Sequence, residues 1–462
     1  MFPAQTYIER RNRLKQQLGS GALLFLGNEE SPMNYADNTF HFRQDSSFLY
    51  FWGIDAPGLA ALIDVEADRE IVFGNDLTVE EIVWMGPQPA IAEKSRRAGV
   101  KESVPLSQLE DVLKKALQAG KKIHFLPQYR AENLIKLQKL LQLHPGAANQ
   151  QASAPFIKAV VAQRSRKSAE EVAEIEAALD ITREMHLLAM KQARPGVYER
   201  EVAGLMEGIA YALGGRLSFP IIFSIHGETL HNHYHGNRMK AGDMVVNDSG
   251  AESALHYAGD ITRTIPIGGK FDPRQREVYE IVLEAQQKAI AACKPGVEFR
   301  SVHLLACKRL ASGLKALGLM KGDLGEAVSA GAHALFFQCG LGHMMGLDVH
   351  DMEGLGEEYV GYTETIQRNP QFGIRSLRLA RALEQGFVLT VEPGLYFIPQ
   401  LIDRWKAENK FPQFINYEAV EKYRSFGGIR VEDNILVTET GNRVLGKPIP
   451  KTIEEVEGLA GA

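Results

Sequence analysis

Apolar positions along the chain recur in two rhythms. Through residues 1–150 they form short runs at 21–27, 47–52, 59–65 and 70–73, divided by turn residues. Two stretches with apolar residues at helical spacing follow, 107–119 and 131–143, with a strand-like run at 122–126 between them. Short runs of this kind predict strands, and the periodic stretches predict amphipathic helices, so this part predicts an α/β unit with helical cover on its sheet. None of its glycines has the G-x-G-x-x-G or Walker spacing of a nucleotide loop. Residues 144–155 turn small and polar and include two prolines, which predicts a linker and domains spanning 1–155 and 156–462.

Beyond the linker the rhythm becomes helical. Ser168-Ala-Glu-Glu171 predicts a capping box, and Val172, Ile175, Leu179 and Met185 recur behind it at helical spacing. Further helices are predicted over 199–213, 275–292 and 300–317. Pro195-Gly196-Val197 and Pro295-Gly296-Val297 each end one helix and start the next, an echo that hints at an internal duplication.

Between these helices lies a different pattern. An apolar run, Met244 to Val246, leads to Asp248; a turn follows; a second run, 256–265, carries Asp260 and then Thr262 and Thr264 in alternation. This predicts two paired strands that can bring Asp248 and Asp260 together on one face. Close carboxylates repel unless a cation or a shared proton holds them, so the pair reads as a metal site, an acid–base dyad, or two solvated aspartates of a surface hairpin. Three more places could carry chemistry. His343 sits among glycines in Cys339-Gly-Leu-Gly-His343, which leaves the imidazole accessible. Glu392 ends an apolar run that Pro393 and Gly394 then stop, and such an acid usually has a partner. Arg430 and Glu432 alternate with Ile429 and Val431, which reads at its simplest as a salt bridge on one strand face. Taken together, Asp248, Asp260, His343, Glu392 and Glu432 form a set rich in oxygen donors with a single nitrogen. Four gathered carboxylates call for about two divalent cations, and such a set suits Mn²⁺ better than a structural Zn²⁺ site.

Composition narrows the field. With 462 residues, two domains are expected. A net charge of −5 supplies no global basic field, so nucleic acid is not an expected partner. Three dispersed cysteines make no disulfide framework and fit a reducing compartment. There is no apolar leader after Met1 and no run of about 18 apolar residues. The expectation is a cytoplasmic protein that does not enter a membrane.

The ordered set Asp, Asp, His, Glu, Glu resembles the "pita-bread" metallopeptidases, and most of all their aminopeptidase P and prolidase branch. The matching words are Gly259-Asp-Ile-Thr-Arg-Thr264, Gly340-Leu-Gly-His343, Leu347-Asp-Val-His-Asp351, Thr390-Val-Glu-Pro-Gly-Leu-Tyr396 and Gly428-Ile-Arg-Val-Glu-Asp433. In the first domain, Phe42-Arg-Gln-Asp-Ser-Ser-Phe-Leu-Tyr-Phe51 and Trp84-Met-Gly86 resemble the same branch. The resemblance implies an α/β (α+β) chain, with a creatinase-like N-terminal domain before a pita-bread catalytic domain. It implies an Xaa-Pro aminopeptidase that uses two divalent metal ions, Mn²⁺ first, with Co²⁺ or Zn²⁺ as alternatives, and a homo-oligomer, dimer or tetramer. The peptides cleaved would carry proline at the second position. By similarity, Asp248 would bind one metal alone, Asp260 and Glu432 would bridge, and His343 and Glu392 would hold the other. A hydroxide shared between the metals would be the nucleophile, with Glu392 as general base. His233 would lie on the substrate side, His350 would steady the tetrahedral intermediate, and Arg430 would orient a bridging carboxylate.

The chain departs from the branch in three places. Asp248 and Asp260 are one residue further apart than usual. Cys339 stands where a histidine of the proline-side pocket usually stands. The interval from Glu392 to Glu432 is long, and its residues 400–424, with Trp405, Phe411, Phe414 and Tyr417, are expected to form a flap over the site. His231, His233 and His235 would share a face on a strand and could bind zinc there, but a loop near the substrate is the preferred reading. Phe48 to Trp52 are expected in a core. Trp84 could reach an active site across a boundary, with a buried core position as its default. Two other functions stay open: a prolidase confined to Xaa-Pro dipeptides, and a binding protein of this fold that has lost catalysis.

Overall fold

The computed structural model describes residues 1–461. It divides into two compact units, one formed by Met1–Arg164 with Met352–Tyr359 and the second by the rest.

The first unit holds a mixed sheet of β1 (Ala22–Leu26), β2 (Ala60–Asp64), β3 (Arg69–Phe73), β4 (Glu102–Val104) and β5 (Ile123–Phe125), in the order β4-β3-β2-β1-β5. β1, β2 and β3 pair antiparallel, and β4 and β5 join the two edges in parallel. Leu24, Leu62, Ile71 and Phe73 pack with Leu109 and Leu113 of the Leu109–Gln118 helix and Leu137 of the Ala131–Leu141 helix. The helix-on-sheet reading of this region therefore holds, with one correction. The run at 47–52 is not a strand but a helix, Ser46–Trp52, buried on every side. Asp45 caps it by accepting from the Phe48 amide at 2.8 Å, and Gly53 closes it in the left-handed region. Arg10 and Arg11 donate to its last carbonyls, Tyr50 and Phe51, each at 2.9 Å. A helix apolar all round has no periodic signature, which is why the pattern did not reveal it.

The supposed linker also folds. Pro145–Ala148 and Asn149–Gln151 form short helical turns, and the Ala154–Arg164 helix follows. Arg164 donates to Ser47 Oγ at 3.0 Å, which ties that helix to the first unit. The division thus falls after Arg164, later than the predicted 155/156. The Val79–Met85 helix, capped by Thr78 and Glu81, leaves Val79, Val83 and Trp84 exposed. At 83% exposure, Trp84 is not the buried core residue that was its default reading.

The second unit carries β6 (Arg216–Leu217), β7 (Ile222–Ser224), β8 (Met244–Ser249), β9 (Ala251–Glu252), β10 (Ile261–Pro266), β11 (Val388–Val391), β12 (Gly394–Tyr396), β13 (Gly428–Arg430), β14 (Asp433–Val437) and β15 (Asn442–Val444). β10-β8-β7 and β11-β14-β15 form two three-stranded sheets, β12 pairs with β13, and β6 with β9. The helices Ala169–Gln192 and Glu199–Ala212 pack as one pair, and Pro273–Ala292 and Phe299–Ala316 as another. The Ser168–Glu171 capping box is present as predicted.

The two Pro-Gly-Val turns repeat each other bond for bond. Gly196 N donates to Met239 O and Met239 N to Val197 O; Gly296 N donates to Leu383 O and Leu383 N to Val297 O. Glu199 N to Asn237 O likewise matches Phe299 N to Arg381 O. The echo in the sequence is therefore an echo in backbone structure.

Residues 400–424 do not form the expected flap. They make the Pro399–Ala407 and Tyr417–Glu421 helices, and they dock on a loop of their own unit. Lys321 N donates to Phe414 O at 2.9 Å and Asn416 N to Leu319 O at 3.0 Å. Trp405 is buried against Phe372 and Phe411.

Candidate metal centre

The centre grows from strand ends of the second unit. In the β8–β10 pair, Asp248 lies opposite Thr262. Asp260, two residues before Thr262, is a diagonal neighbour of Asp248 and not its direct partner. Asn434 fixes Asp260 by both backbone groups: the Asp260 amide donates to Asn434 Oδ1 at 3.1 Å, and Asn434 Nδ2 donates to the Asp260 carbonyl at 2.6 Å. Between the aspartates, beyond β9, the chain makes a tight turn in which Ser253 N donates to Tyr257 O and His256 adopts φ 67°. His256 Nδ1 meets Glu252 Oε2 at 2.7 Å, a local pair within that turn.

The repeat noted above places two of the carboxylates. Asp248 follows Met239 by nine residues, and Glu392 follows Leu383 by the same nine, each after an equivalent turn and at the end of β8 or β11. His343 reaches the centre on a loop laid against β11. Its amide donates to Thr390 Oγ1 at 3.1 Å, and the Thr390 amide donates to its carbonyl at 3.0 Å. A side chain on Gly342 would come within 2.0 Å of the Thr390 carbonyl, so this approach requires glycine. His343 Nδ1 donates to the Met344 carbonyl at 3.1 Å, which fixes the ring with Nε2 turned toward the Asp260 and Glu392 carboxylates.

Donor atoms of Asp260, His343 and Glu432 lie within 4.8 Å of one another. His343 Nε2 is 3.4 Å from Asp260 Oδ2 and 3.5 Å from Glu392 Oε1. Thr262 Oγ1 donates to Glu432 Oε2 at 2.6 Å. Arg430 is not paired with Glu432. Its Nη2 donates to Asp248, its Nε to Thr262 Oγ1 at 3.0 Å and its Nη1 to Tyr396 Oη at 2.9 Å. The expectation that Arg430 orients a bridging carboxylate is thus corrected: it grips Asp248 directly and meets Glu432 only through Thr262.

Asp248 Oδ1, Asp260 Oδ1 and Glu432 Oε1 are buried without any hydrogen-bond partner. Buried carboxylate oxygens rarely stay unsatisfied, because leaving them so costs kilocalories each. Burial first, then the charges of Asp248 and Glu392, pushes the Asp260 carboxyl well above the usual range. Burial followed by Asp260, Glu392 and Asp248 does the same to Glu432. Burial also raises Glu392, against the pull of His343 and Arg430. Divalent cations fit this set: they would supply the missing partners and neutralise the crowding.

A cavity of about 190 Å³ opens on the centre. Asp248, Asp260, His343, Glu392, Glu432 and Arg430 line it, as do His231, His233, His350 and Cys339. The His350 ring stands edge-on to His343 with centroids 4.3 Å apart. Burial, then the neighbouring His343, Arg378 and His231, pull His350 down to about 2, so it is a neutral imidazole. Burial, then Glu392, pushes the Cys339 thiol up to about 12, so it is a protonated wall residue and not a thiolate donor. The His231 to His235 run is a loop and not a strand, and His235 Nε2 is taken by the Ile221 carbonyl at 3.1 Å. Phe219, Pro220, Ile222, Leu230 and Val349 complete the walls. These apolar residues, with Thr262, Tyr396 and Asn434, are what the sequence reading missed. The alternation around Thr262 was the one local signal available. No residue of 400–424 lines the cavity, and neither does Trp84.

Comparison with known proteins agrees with this architecture. Residues 173–439 match the model of metallopeptidase family M24, and residues 7–124 match the aminopeptidase P N-terminal domain. The chain belongs to metallopeptidase family M24. It is 34% identical to the Xaa-Pro aminopeptidase of Escherichia coli, over 98% of this chain and 97% of that one. It is 31% identical to the Xaa-Pro dipeptidase of Homo sapiens, over 99% and 94%. Among solved structures, zinc-substituted E. coli aminopeptidase P in complex with product superposes with TM-score 0.81 at 31% identity, covering 99% of this chain and 98% of that one. A Pseudomonas aeruginosa aminopeptidase superposes with TM-score 0.82 at 26% identity, with the same coverage.

Proposed function

We propose that the chain is an Xaa-Pro aminopeptidase, hydrolysing the bond between an N-terminal residue and a following proline. The observation that carries this reading is the set of orphaned carboxylate oxygens around His343 Nε2, at the floor of a cavity with apolar walls. Asp248, Asp260, His343, Glu392 and Glu432 would hold two divalent ions, Mn²⁺ first, with Co²⁺ and Zn²⁺ as alternatives. Bound there, such ions polarise the scissile carbonyl and acidify water.

The chain's own residues do the rest. Glu392 takes the proton of the attacking water and gives it to the leaving imino nitrogen of proline. Neutral His350 donates a hydrogen bond to the oxygen on which charge develops. His233 holds the substrate from the loop side. Arg430 keeps Asp248 in place, and Thr262 does the same for Glu432. An Xaa-Pro bond offers no N–H, and its ring restricts the residue before it. Recognition therefore falls to a pocket for the ring, and Phe219, Ile222, Leu230 and Val349 provide apolar walls for one.

A homo-oligomer belongs to this reading, supported by the exposed apolar side chains of Val79, Val83 and Trp84. A cytoplasmic location is supported by the free, buried Cys293 and Cys307. Among the described residues no helix is long and apolar enough to cross a membrane.

The test is a peptide panel with added Mn²⁺, Co²⁺ or Zn²⁺. Cleavage of Xaa-Pro-Xaa and longer peptides supports the aminopeptidase. Activity confined to Xaa-Pro dipeptides would make the chain a prolidase, as its human relative is named. No cleavage at full metal loading would leave a binding protein.

A further inference from the structure

A second cluster of ligand-type side chains lies in the core of the second unit, apart from the carboxylates. His303 and Cys307 are four residues apart on the Phe299–Ala316 helix, which puts them on one face. His333 comes to them from the helical turn Ala332–Leu335. One donor atom from each lies within 4.8 Å of the others, and Cys307 Sγ is 3.4 Å from His303 Nε2. All three are buried, at 0%, 0% and 3% exposure. Their chain neighbours Val302, Ala306, Ala334, Phe336 and Phe337 are buried as well, and the Phe337 ring is 5.6 Å from that of His303.

The polar atoms of this cluster are not satisfied. His303 Nδ1, His333 Nδ1 and His333 Nε2 are buried without a hydrogen-bond partner. Natural cores rarely leave three imidazole nitrogens in this state, because each costs kilocalories of desolvation. Burial holds both imidazoles neutral, at about 3 for His303 and about 4 for His333, so their lone pairs are free to bind a cation.

We infer that His303, Cys307 and His333 form a second metal site, a buried trigonal His₂Cys site for a soft monovalent d¹⁰ ion of the Cu⁺ class. Softness and charge select the ion. A thiolate with two imidazoles matches soft or borderline metals and excludes the hard ions that suit carboxylates. Cu⁺ with one thiolate and two neutral imidazoles sums to zero charge, which an apolar core tolerates. Zn²⁺ would leave a net positive charge there and would want a fourth donor. Loading exchanges one cation for another: the Cys307 S–H bond breaks, its proton passes to solvent, and a sulfur–metal bond forms with no change of oxidation state. Burial pushes the Cys307 thiol up, and the neighbouring Cys339 adds to that, so the metal has to displace a firmly held proton. Cys339, which adds to the upward push on the Cys307 thiol, also lines the cavity of the carboxylate centre.

The test uses the full chain with its carboxylate centre loaded with Mn²⁺. Cu⁺ is titrated anaerobically against a chromogenic Cu⁺ chelator. The expected result is a single tight equivalent of Cu⁺ that excess Mn²⁺ does not displace. C307S and H333N should each weaken it by more than about 100-fold, beyond what loss of an outer partner costs. Both should leave peptidase activity with Mn²⁺ unchanged. X-ray absorption at the copper edge of the unmodified protein, which needs no variant to fold, should show sulfur and nitrogen neighbours together. Absence of a tight equivalent, affinity in both variants unchanged from that of the unmodified protein, or a shell of oxygen and nitrogen alone would overturn the site. A preference for Zn²⁺ over Cu⁺ at the same residues would overturn the choice of ion.

Discussion

Glu432 and Asp433 are neighbours in sequence and both are buried carboxylates, yet the fold treats them in opposite ways. Asp433 accepts from Arg263 at 2.7 Å, Gln286 at 2.8 Å and Lys451 at 2.5 Å. Burial alone would raise it, but Arg263 and Lys451 outweigh that and hold it below the usual carboxylate range. Glu432 has one hydroxyl donor, one empty oxygen, and three acidic neighbours that push it up. A buried acid whose partners are all present is a structural bolt. A buried acid whose partners are missing marks the place where something else must bind.

The contrast can be broken from either side. The largest effect is expected on the open side, where Glu392→Gln should lower kcat/KM by about 10²–10⁴-fold with the fold intact by circular dichroism. Near-normal turnover in that variant would remove Glu392 as the base. On the closed side, Asp433→Asn leaves Arg263 under-paired in the core and should cost about 3–5 kcal/mol of stability in denaturant titration. Activity at permissive temperature should persist, and a stable but inactive Asp433→Asn protein would collapse the distinction.

The same contrast has a sign in pH. Asp260 and Glu432 are raised in the folded, metal-free protein, so their contribution to stability is full below the ordinary carboxylate range and is lost as pH rises through the raised values. Asp433 is depressed, so its contribution is present above the ordinary value and is lost as pH falls through the lowered one. Metal removal should therefore move the pH of maximum thermal stability downward. Parallel melting profiles with and without metal would contradict this. A smaller effect is expected at Arg430, where Arg430→Lys loses the fork that joins Asp248, Thr262 and Tyr396 and should weaken metal binding by about 10–100-fold in equilibrium dialysis. The smallest is at the surface: Arg424→Ala breaks an exposed pair with Asp403, which solvent screens, and should leave the denaturant midpoint unchanged.

The five candidate donors, which the structure gathers around one cavity, could be picked out in the sequence because each ends an apolar run or sits beside glycine, and because they recur in a known order. The helices of the second unit announced themselves through capping residues and spacing. What stayed hidden depends on distant segments. Nothing local says that Arg430 will choose Asp248, 182 residues away, over Glu432 beside it. The Ser46–Trp52 helix lacked a period because every side of it is buried, although Asp45 stood at its start as a capping signal. The aromatic residues of 400–424 suggested a lid, but aromatic content alone does not say which surface a segment will cover. Trp405 shows the answer here, sealed against Phe372 and Phe411.

The repeated turns at Pro195 and Pro295 carry one more consequence. Asp248 and Asp260 come with the first repeat, while His343, Glu392 and Glu432 come with the second. Neither repeat owns a working set of donors. On the proposed reading, reactivity is a property of their union, and a chain holding only one repeat is expected to be inert toward peptide bonds.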